Sequence, residues 1–159
     1  MAIEIERKFL VKAGAWPKTA GARYRQGYLS TDKVATVRVR SIEDPGSGEQ
    51  SAYLTVKGKL MGVSRTEYEY AIPIADAQEM LDRLCSRPLI EKIRYKVPIG
   101  EVTWEIDEFL GDNAGLVVAE VELQTPDQPI ALPAWIAQEV TGDLRYANSN
   151  LVLHPFCRW

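Results

Sequence analysis

The sequence predicts a mainly β fold of the α+β class: an eight-stranded antiparallel β-barrel with a charged interior and a few flanking helices. Three observations predict it. About eight alternating or β-rich runs fill residues 1–124. In most of these runs the charged residues fall on one parity and the apolar residues on the other. Helical signals are few and short.

The first run, 3–12, sets Ile3, Ile5 and Phe9 on one face and Glu4, Glu6 and Lys8 on the other, because residues two apart in a strand share a face. Runs at 23–29 and 34–42 follow, the latter with Arg38 and Arg40 opposite Val37 and Val39. After the turn-forming Asp44-Pro45-Gly46-Ser47-Gly48, the run 51–57 opposes Thr55 and Lys57 to Leu54 and Val56. Gly58-Lys59-Leu60-Met61-Gly62 leads into 63–72, where Arg65, Glu67 and Glu69 oppose Tyr68 and Tyr70. A helix is predicted over 76–86, with Asp76 as N-cap, Glu79 as its capping-box partner, and Met80, Leu81 and Leu84 as the apolar face.

The run 91–98 pairs Lys92 with Arg94, and 101–109 pairs Glu105 with Asp107; Pro98-Ile99-Gly100 between them reads as a hairpin connection. The run 116–124 sets Glu120 and Glu122 opposite Val121 and Leu123. A second helix is expected from Pro133, a favoured first helical residue, with Trp135, Ile136 and Val140 buried. A short third covers 147–153, before Pro155. No repeat, low-complexity segment or linker interrupts the chain, so residues 1–159 are expected to form one domain.

On any single strand, a polar row opposite an apolar row is the ordinary solvated face of a half-buried sheet. Two features argue otherwise here. Seven strands repeat the pattern, and the charges come largely in like-sign pairs within a strand. A free solvent face intersperses signs, because neighbouring like charges repel. Like-sign pairs make sense if the rows face one shared space, and eight strands suffice to enclose one. Such an interior needs water, counter-charges or a highly charged ligand.

Its chemistry follows from the residue types. Glu4, Glu6, Glu120 and Glu122 are hard oxygen ligands suited to Mg²⁺ or Mn²⁺. Lys8, Arg38, Arg40, Lys57, Lys92 and Arg94 are fixed cations, and an arginine grips phosphate oxygens bidentately. Metal plus cations suits phosphoryl transfer, in which positioning and electrostatics carry most of the catalysis. Tyr28 is either a hydroxyl that orients phosphate or water, or a core or rim aromatic; with Lys8 it is placed among the catalytic candidates.

Other chemistries lack their residues. The one histidine, His154, has no evident partner and is read as structural or surface, and no GxxxxGK[ST], GxSxG or HExxH motif occurs. Cys85 and Cys157 form no metal-ligand spacing, and Cys85 is read as packing. With 46% hydrophobic and 26% charged residues the chain is globular, and its net charge of −3 offers no global field for nucleic acid. No apolar run approaches the roughly 20 residues that span a bilayer, and the N-terminus carries charge where a signal peptide would carry its apolar stretch. A cytoplasmic protein, monomer or homodimer, without nucleic-acid or membrane partners, is expected.

Glu4-Ile5-Glu6-Arg7-Lys8 resembles the ExExK signature of the CYTH, or triphosphate tunnel metalloenzyme, superfamily. Arg25-Gln26-Gly27-Tyr28-Leu29, Arg38-Val39-Arg40, Leu54-Thr55-Val56-Lys57, Glu67-Tyr68-Glu69, Glu91-Lys92-Ile93-Arg94-Tyr95, Trp104-Glu105-Ile106-Asp107, Glu120-Val121-Glu122 and Glu139-Val140-Thr141-Gly142-Asp143-Leu144-Arg145-Tyr146 follow in the family's order. The resemblance implies a tunnel that binds a triphosphate lengthwise. Glu4, Glu6, Glu120 and Glu122 would hold Mg²⁺ or Mn²⁺, and Lys8, Arg38, Arg40, Lys57, Lys92 and Arg94 would hold phosphates, joined by Arg65 and by Arg145 of a plug closing one end. In that plug, Ala147-Asn148-Ser149-Asn150 carries no lysine where related plugs carry extra basic residues.

The chain is most similar to short bacterial members that favour inorganic tripolyphosphate, which it would split into pyrophosphate and phosphate. The alternatives are an adenylate cyclase, a thiamine triphosphatase and a non-catalytic polyphosphate- or nucleotide-binding module. The opening lacks the His-Phe lead-in of class IV cyclases, and no adenine pocket is identifiable. A thiamine ring would need an aromatic such as Trp16 or Trp159 to stack on.

Overall fold

The computed structural model describes residues 2–159; Met1, with which the N-terminal reading opens, lies outside them. Nine strands and two helices follow in the order β1 (Ala2–Val11), β2 (Ala22–Thr31), β3 (Ala35–Glu43), β4 (Gln50–Gly58), β5 (Ser64–Ala71), α1 (Ile74–Arg83), β6 (Ile90–Ile99), β7 (Val102–Phe109), β8 (Val117–Glu122), β9 (Ile136–Glu139) and α2 (Asn148–Leu153). The eight expected strands are all present. β6 and β7 are joined by the expected hairpin, in which Ile99 pairs with Val102 and Gly100 takes φ +62°. A side chain is strained at that angle, so glycine suits the first position of this two-residue loop.

All pairings between these strands are antiparallel, in the order β5-β4-β3-β2-β6-β7-β8-β1, and β1 closes the barrel by pairing Ala2–Ile5 with β5. β1 is long enough to serve three partners. Ile5 accepts on the β8 side from Leu123, whereas the Glu6 amide donates on the opposite edge to Val63. Where β5 ends, β9 continues along that same edge, with Val140 donating to the Lys8 carbonyl and Lys12 to Trp135.

That edge explains why the helix expected from Pro133 does not form. The Ile136 amide bonds the Pro133 carbonyl for one turn only, and the chain then runs extended against β1, with Ile136 beside Val11. An unpaired strand edge is costly to leave open, and here it outweighs helical propensity. Trp135, Ile136 and Val140 are buried as expected, but from the turn before β9, from β9 itself and from the residue after it. The start of α1 also differs. It begins at Ile74 after Pro73 with no side-chain cap bond, so Asp76 lies within the first turn. There it complements the positive end of the helix, while the start is set by docking Ala77 and Leu81 onto Val39 and Ala52.

Apolar clusters cover the barrel outside and cork it inside. Phe9, Trp104, Ile106, Val121 and Trp135 form the core over β1, β7 and β8, with the Phe9 and Trp104 rings edge-on at 5.5 Å. Under α1 lie Val39, Ala52, Leu81 and Cys85. The third cluster occupies one end of the barrel. Ile90, Phe109 and Val118 lie on the same inward parity as the charged rows, and Leu151 and Val152 of α2 pack against them with Tyr28. The short expected helix at 147–153 is therefore the plug.

Leu81 is fully buried between α1 and the sheet. Leu81→Ala should cost about 2–5 kcal/mol of unfolding free energy, read by urea denaturation; a loss below about 1 kcal/mol would mean that α1 does not carry this face.

Candidate active site

Inside the barrel is a cavity of about 600 Å³. Its wall is built mainly by parity: each strand contributes alternate residues, so β1 gives Glu4, Glu6 and Lys8, β3 gives Arg38 and Arg40, and β6 gives Lys92, Arg94 and Lys96. The order of strands sorts the charges by sign. β7, β8, β1 and β5 are adjacent and carry Glu105, Glu120, Glu122, Glu4, Glu6, Glu67 and Glu69. β4, β3 and β6 carry Lys57, Arg38, Arg40, Lys92 and Arg94, with the aromatic β2 between β3 and β6.

The acidic wall is crowded. Glu6 stands directly opposite Glu122 in the β1–β8 ladder, and Glu105 opposite Glu120 in the β7–β8 ladder. Like charges in such positions repel. Burial, then Glu120 and Glu4, pushes the Glu6 carboxyl up to about 8. Burial, Glu4 and Glu105 raise Glu122. The remaining two have cationic partners. Burial would raise Glu4, but Lys57, at 3.0 and 3.1 Å, and Arg65, at 3.4 Å, hold it below its ordinary value. Burial of Glu120 is outweighed by Lys8, Arg94 and Lys92, which hold it well below the usual range. Four carboxylates, two of them raised by burial and by neighbouring carboxylates, fit a hard divalent cation. Among the described residues no three acidic, His or Cys side chains form a ready-made cage, so phosphate oxygens and water would complete the coordination, as Mg²⁺ commonly requires.

The basic wall is crowded in the opposite sense. Asp107, 1% exposed, stands beside it on β7, opposite Arg94 in the β6–β7 ladder, and receives Lys92 Nζ at 2.6 Å and Arg94 at 2.7 and 2.8 Å. Burial nevertheless lowers Lys92 to about 7, against the pull of Asp107. Arg40 is lowered to about 9 by burial and by the charges of Arg38 and Arg94. Arg38 donates to Thr55 Oγ1 at 3.3 Å, and its buried Nε has no partner. These cations are held together by the fold against their own repulsion, which an arriving polyanion relieves.

Most residues singled out in the sequence come together here. Glu4, Glu6, Lys8, Tyr28, Arg38, Arg40, Lys57, Arg65, Lys92, Arg94, Glu120 and Glu122 all line the cavity. Lys8 Nζ sits 3.4 Å from the Tyr146 carbonyl and 3.7 Å from Glu120. Tyr28, buried at the plug end, is opposite Arg38 in the ladder, so it is at once a core aromatic and a wall residue.

Arg145 does not join them. It is exposed, its guanidinium is bonded to Asp143 at 2.8–3.3 Å, and it stacks over Tyr146 and Trp159 on the outside of the plug. Asp143, two residues away, captures it before it can turn inward. The plug instead presents Ala147, Asn148 and Ser149 to the cavity. Trp16 and Trp159 also stand apart, the one in the outer core and the other against Tyr146 and Phe156.

Sequence reasoning missed Tyr24, Gln26 and Asn148. Gln26 accepts from Arg40 Nε at 2.8 Å and donates to Asn148 Oδ1 at 2.8 Å, and that oxygen also receives Lys92 Nζ at 3.3 Å. Tyr24 and Gln26 share the inward parity of Tyr28 on β2, so the rule that found the charged rows would have found them too.

With this geometry in view, the chain can be set beside known proteins. It is 52% identical to the inorganic triphosphatase of Acetivibrio thermocellus over 157 residues, covering 98% of this chain and 97% of that protein. It is 36% identical to the inorganic triphosphatase of Nitrosomonas europaea over 154 residues, covering 94% and 97%. A crystal structure of an inorganic triphosphatase superposes with a TM-score of 0.64 at 32% identity, covering 96% of each chain. The CYTH domain matches residues 2–155, from the first described strand to beyond the plug. The chain belongs to the CYTH domain family.

Proposed function

We propose that this protein is a Mg²⁺- or Mn²⁺-dependent hydrolase that splits inorganic tripolyphosphate into pyrophosphate and phosphate in the cytoplasm. The observation that carries this is the sorting of charge: a plugged barrel with one acidic and one basic wall suits a linear polyanion bridged to a divalent cation. Two relatives named inorganic triphosphatase, each similar to this chain over nearly its whole length, support the choice of substrate.

The residues divide the work. Arg38, Arg40, Lys57, Lys92 and Arg94 bind phosphate oxygens, joined by Arg65 from beside Glu4 at the acidic wall. Asp107 fixes the directions of Lys92 and Arg94, so little reorganisation is left for the moment of reaction. Glu4, Glu6, Glu120 and Glu122 hold the metal, which when bound neutralises charge building up on the phosphate oxygens. Lys8 stands between Glu120 and the Tyr146 carbonyl, where its ammonium steadies the phosphoryl group under attack by water. Tyr28 offers its hydroxyl from the plug end to orient that water or a terminal phosphate. The new bond joins phosphorus to the water oxygen, the bond to the bridging oxygen breaks with its electron pair leaving on the departing phosphate, and the water's proton passes to phosphate oxygen or solvent.

Lys8→Ala and Glu6→Gln should each lower kcat/KM for tripolyphosphate by at least about 100-fold, with unchanged circular dichroism. Activity should vanish with a chelator and return with Mg²⁺ or Mn²⁺. Full activity in either variant, or hydrolysis without metal, would overturn the assignment.

A second prediction concerns the metal-free protein. The folded Glu6 carboxyl holds its proton to about pH 8, whereas the ordinary value is 4.5. The folded state therefore binds more protons across that window, and the stability this gives at low pH is lost as pH rises. With chelator present, the Tm of Glu6→Gln should exceed wild type by a margin that widens from about pH 5 to about pH 8. A constant or narrowing margin would show that Glu6 is not held protonated.

A further inference from the structure

The buried cations of the tunnel are paired with carboxylates, with one exception. Lys8 has Glu120 at 3.7 Å, Arg38 has Glu69 at 3.8 Å, Lys57 has Glu4 at 3.0 Å, and Lys92 and Arg94 share Asp107 at 2.6 and 2.7 Å. Arg40 is 9% exposed, yet among the described residues no carboxylate oxygen lies within 4.0 Å of its nitrogens. What holds it is neutral. Its Nε donates to Gln26 Oε1 at 2.8 Å, and its Cζ lies 4.9 Å from the centre of the Tyr24 ring. The same ring has Arg94 at 5.0 Å and Lys92 at 5.7 Å.

Gln26 is fully buried, and both ends of its amide are used, one on Arg40 and one on Asn148. Glutamate has the same shape. In this place it would put a full negative charge on the guanidinium and form the strong paired contact that arginine makes with a carboxylate. Arg40 would then be neutralised by the protein before any substrate arrived. With glutamine it is oriented through Nε only, and its two terminal nitrogens donate to no protein acceptor among the described residues. The Tyr24 face adds attraction without adding a formal charge.

We propose that Gln26 is a positioning residue for substrate binding: as the neutral counterpart of glutamate, it aims Arg40 into the tunnel while leaving its charge uncompensated for a phosphate of the substrate. Tyr24, two residues before it on β2, completes the neutral cradle. Resting on the tripolyphosphatase reading, this adds that affinity is set by a charge the fold leaves unsatisfied, at a cost in stability. Affinity and stability should therefore move in opposite directions when that charge is satisfied. A residue that merely packs the wall moves them together.

The test compares wild type, Gln26→Glu and Gln26→Met. Tripolyphosphate binding is measured by calorimetry with chelator present, and Tm is measured without anion. Gln26→Glu should weaken binding by at least about tenfold while raising the Tm of the anion-free protein. Gln26→Met removes both hydrogen bonds without adding charge; it should lower Tm and, because Arg40 loses its aim but keeps its charge, weaken binding by only about threefold. Gln26→Glu binding as tightly as wild type, Gln26→Glu with a lowered Tm, or Gln26→Met losing as much affinity as Gln26→Glu would each overturn the proposal. Turnover assayed with metal separates the two levels. Wild type that binds tripolyphosphate without hydrolysing it refutes the hydrolase and leaves the role of Gln26 standing.

Discussion

An ionised side chain shut inside a protein costs several kcal/mol, as a rough effective penalty, unless it is paired or solvated. This barrel turns more than a dozen of them toward its own axis. The rest of the structure accommodates that condition. The apolar rows that would ordinarily fill a barrel are displaced to the outside, where Phe9, Trp104, Ile106 and Val121 need covers of their own. Those covers are α1 over β3 and β4, and the segments carrying Trp16 and Trp135 over β6, β7 and β8. The inside remains open because neither wall can close on itself: one sign predominates on each, with Lys8 and Arg65 the cations among the carboxylates.

Asp107 and Gln26 mark the two ways this fold treats an interior cation. Asp107 compensates Lys92 and Arg94 from the neighbouring strand and fixes their direction. Gln26 directs Arg40 without compensating it. On the acidic side the same contrast separates Glu4 and Glu120, held ionised by lysine and arginine, from Glu6 and Glu122, raised by burial and by neighbouring carboxylates. An uncompensated cation and two carboxyls disfavoured as anions thus face one space. At the plugged end Ile90, Phe109, Val118, Leu151 and Val152 replace the charged rows by an apolar cork, giving the tunnel a direction.

Much of this was legible in the sequence, because strand parity is a strict rule and charge makes its rows conspicuous. The eight barrel strands and the residues that line the tunnel follow from alternation, the hairpin at Gly100 from its turn residues, and the plug from the short helix at 147–153 together with the family resemblance. What escaped depends on tertiary competition. The segment after Pro133 carries helix signals, but only the fold reveals a free edge of β1 that takes it as β9. Asp76 has the right type for an N-cap, yet the docking of Ala77 and Leu81 fixes where α1 begins. Arg145 stands in a matching stretch of sequence and is drawn outward by Asp143, a local pairing that a strand-based rule does not see. Tyr24 and Gln26 obeyed the parity rule and were passed over because they carry no formal charge.

The central claim is that the tunnel is fitted to a bare triphosphate rather than to one bearing an organic group. The most direct measurement is product release from tripolyphosphate, ATP and thiamine triphosphate assayed in parallel with Mg²⁺ or Mn²⁺. Rapid release of phosphate and pyrophosphate from tripolyphosphate, with far slower reaction of the other two, is the predicted result. Faster turnover of ATP, with cyclic AMP and pyrophosphate as products, would contradict it.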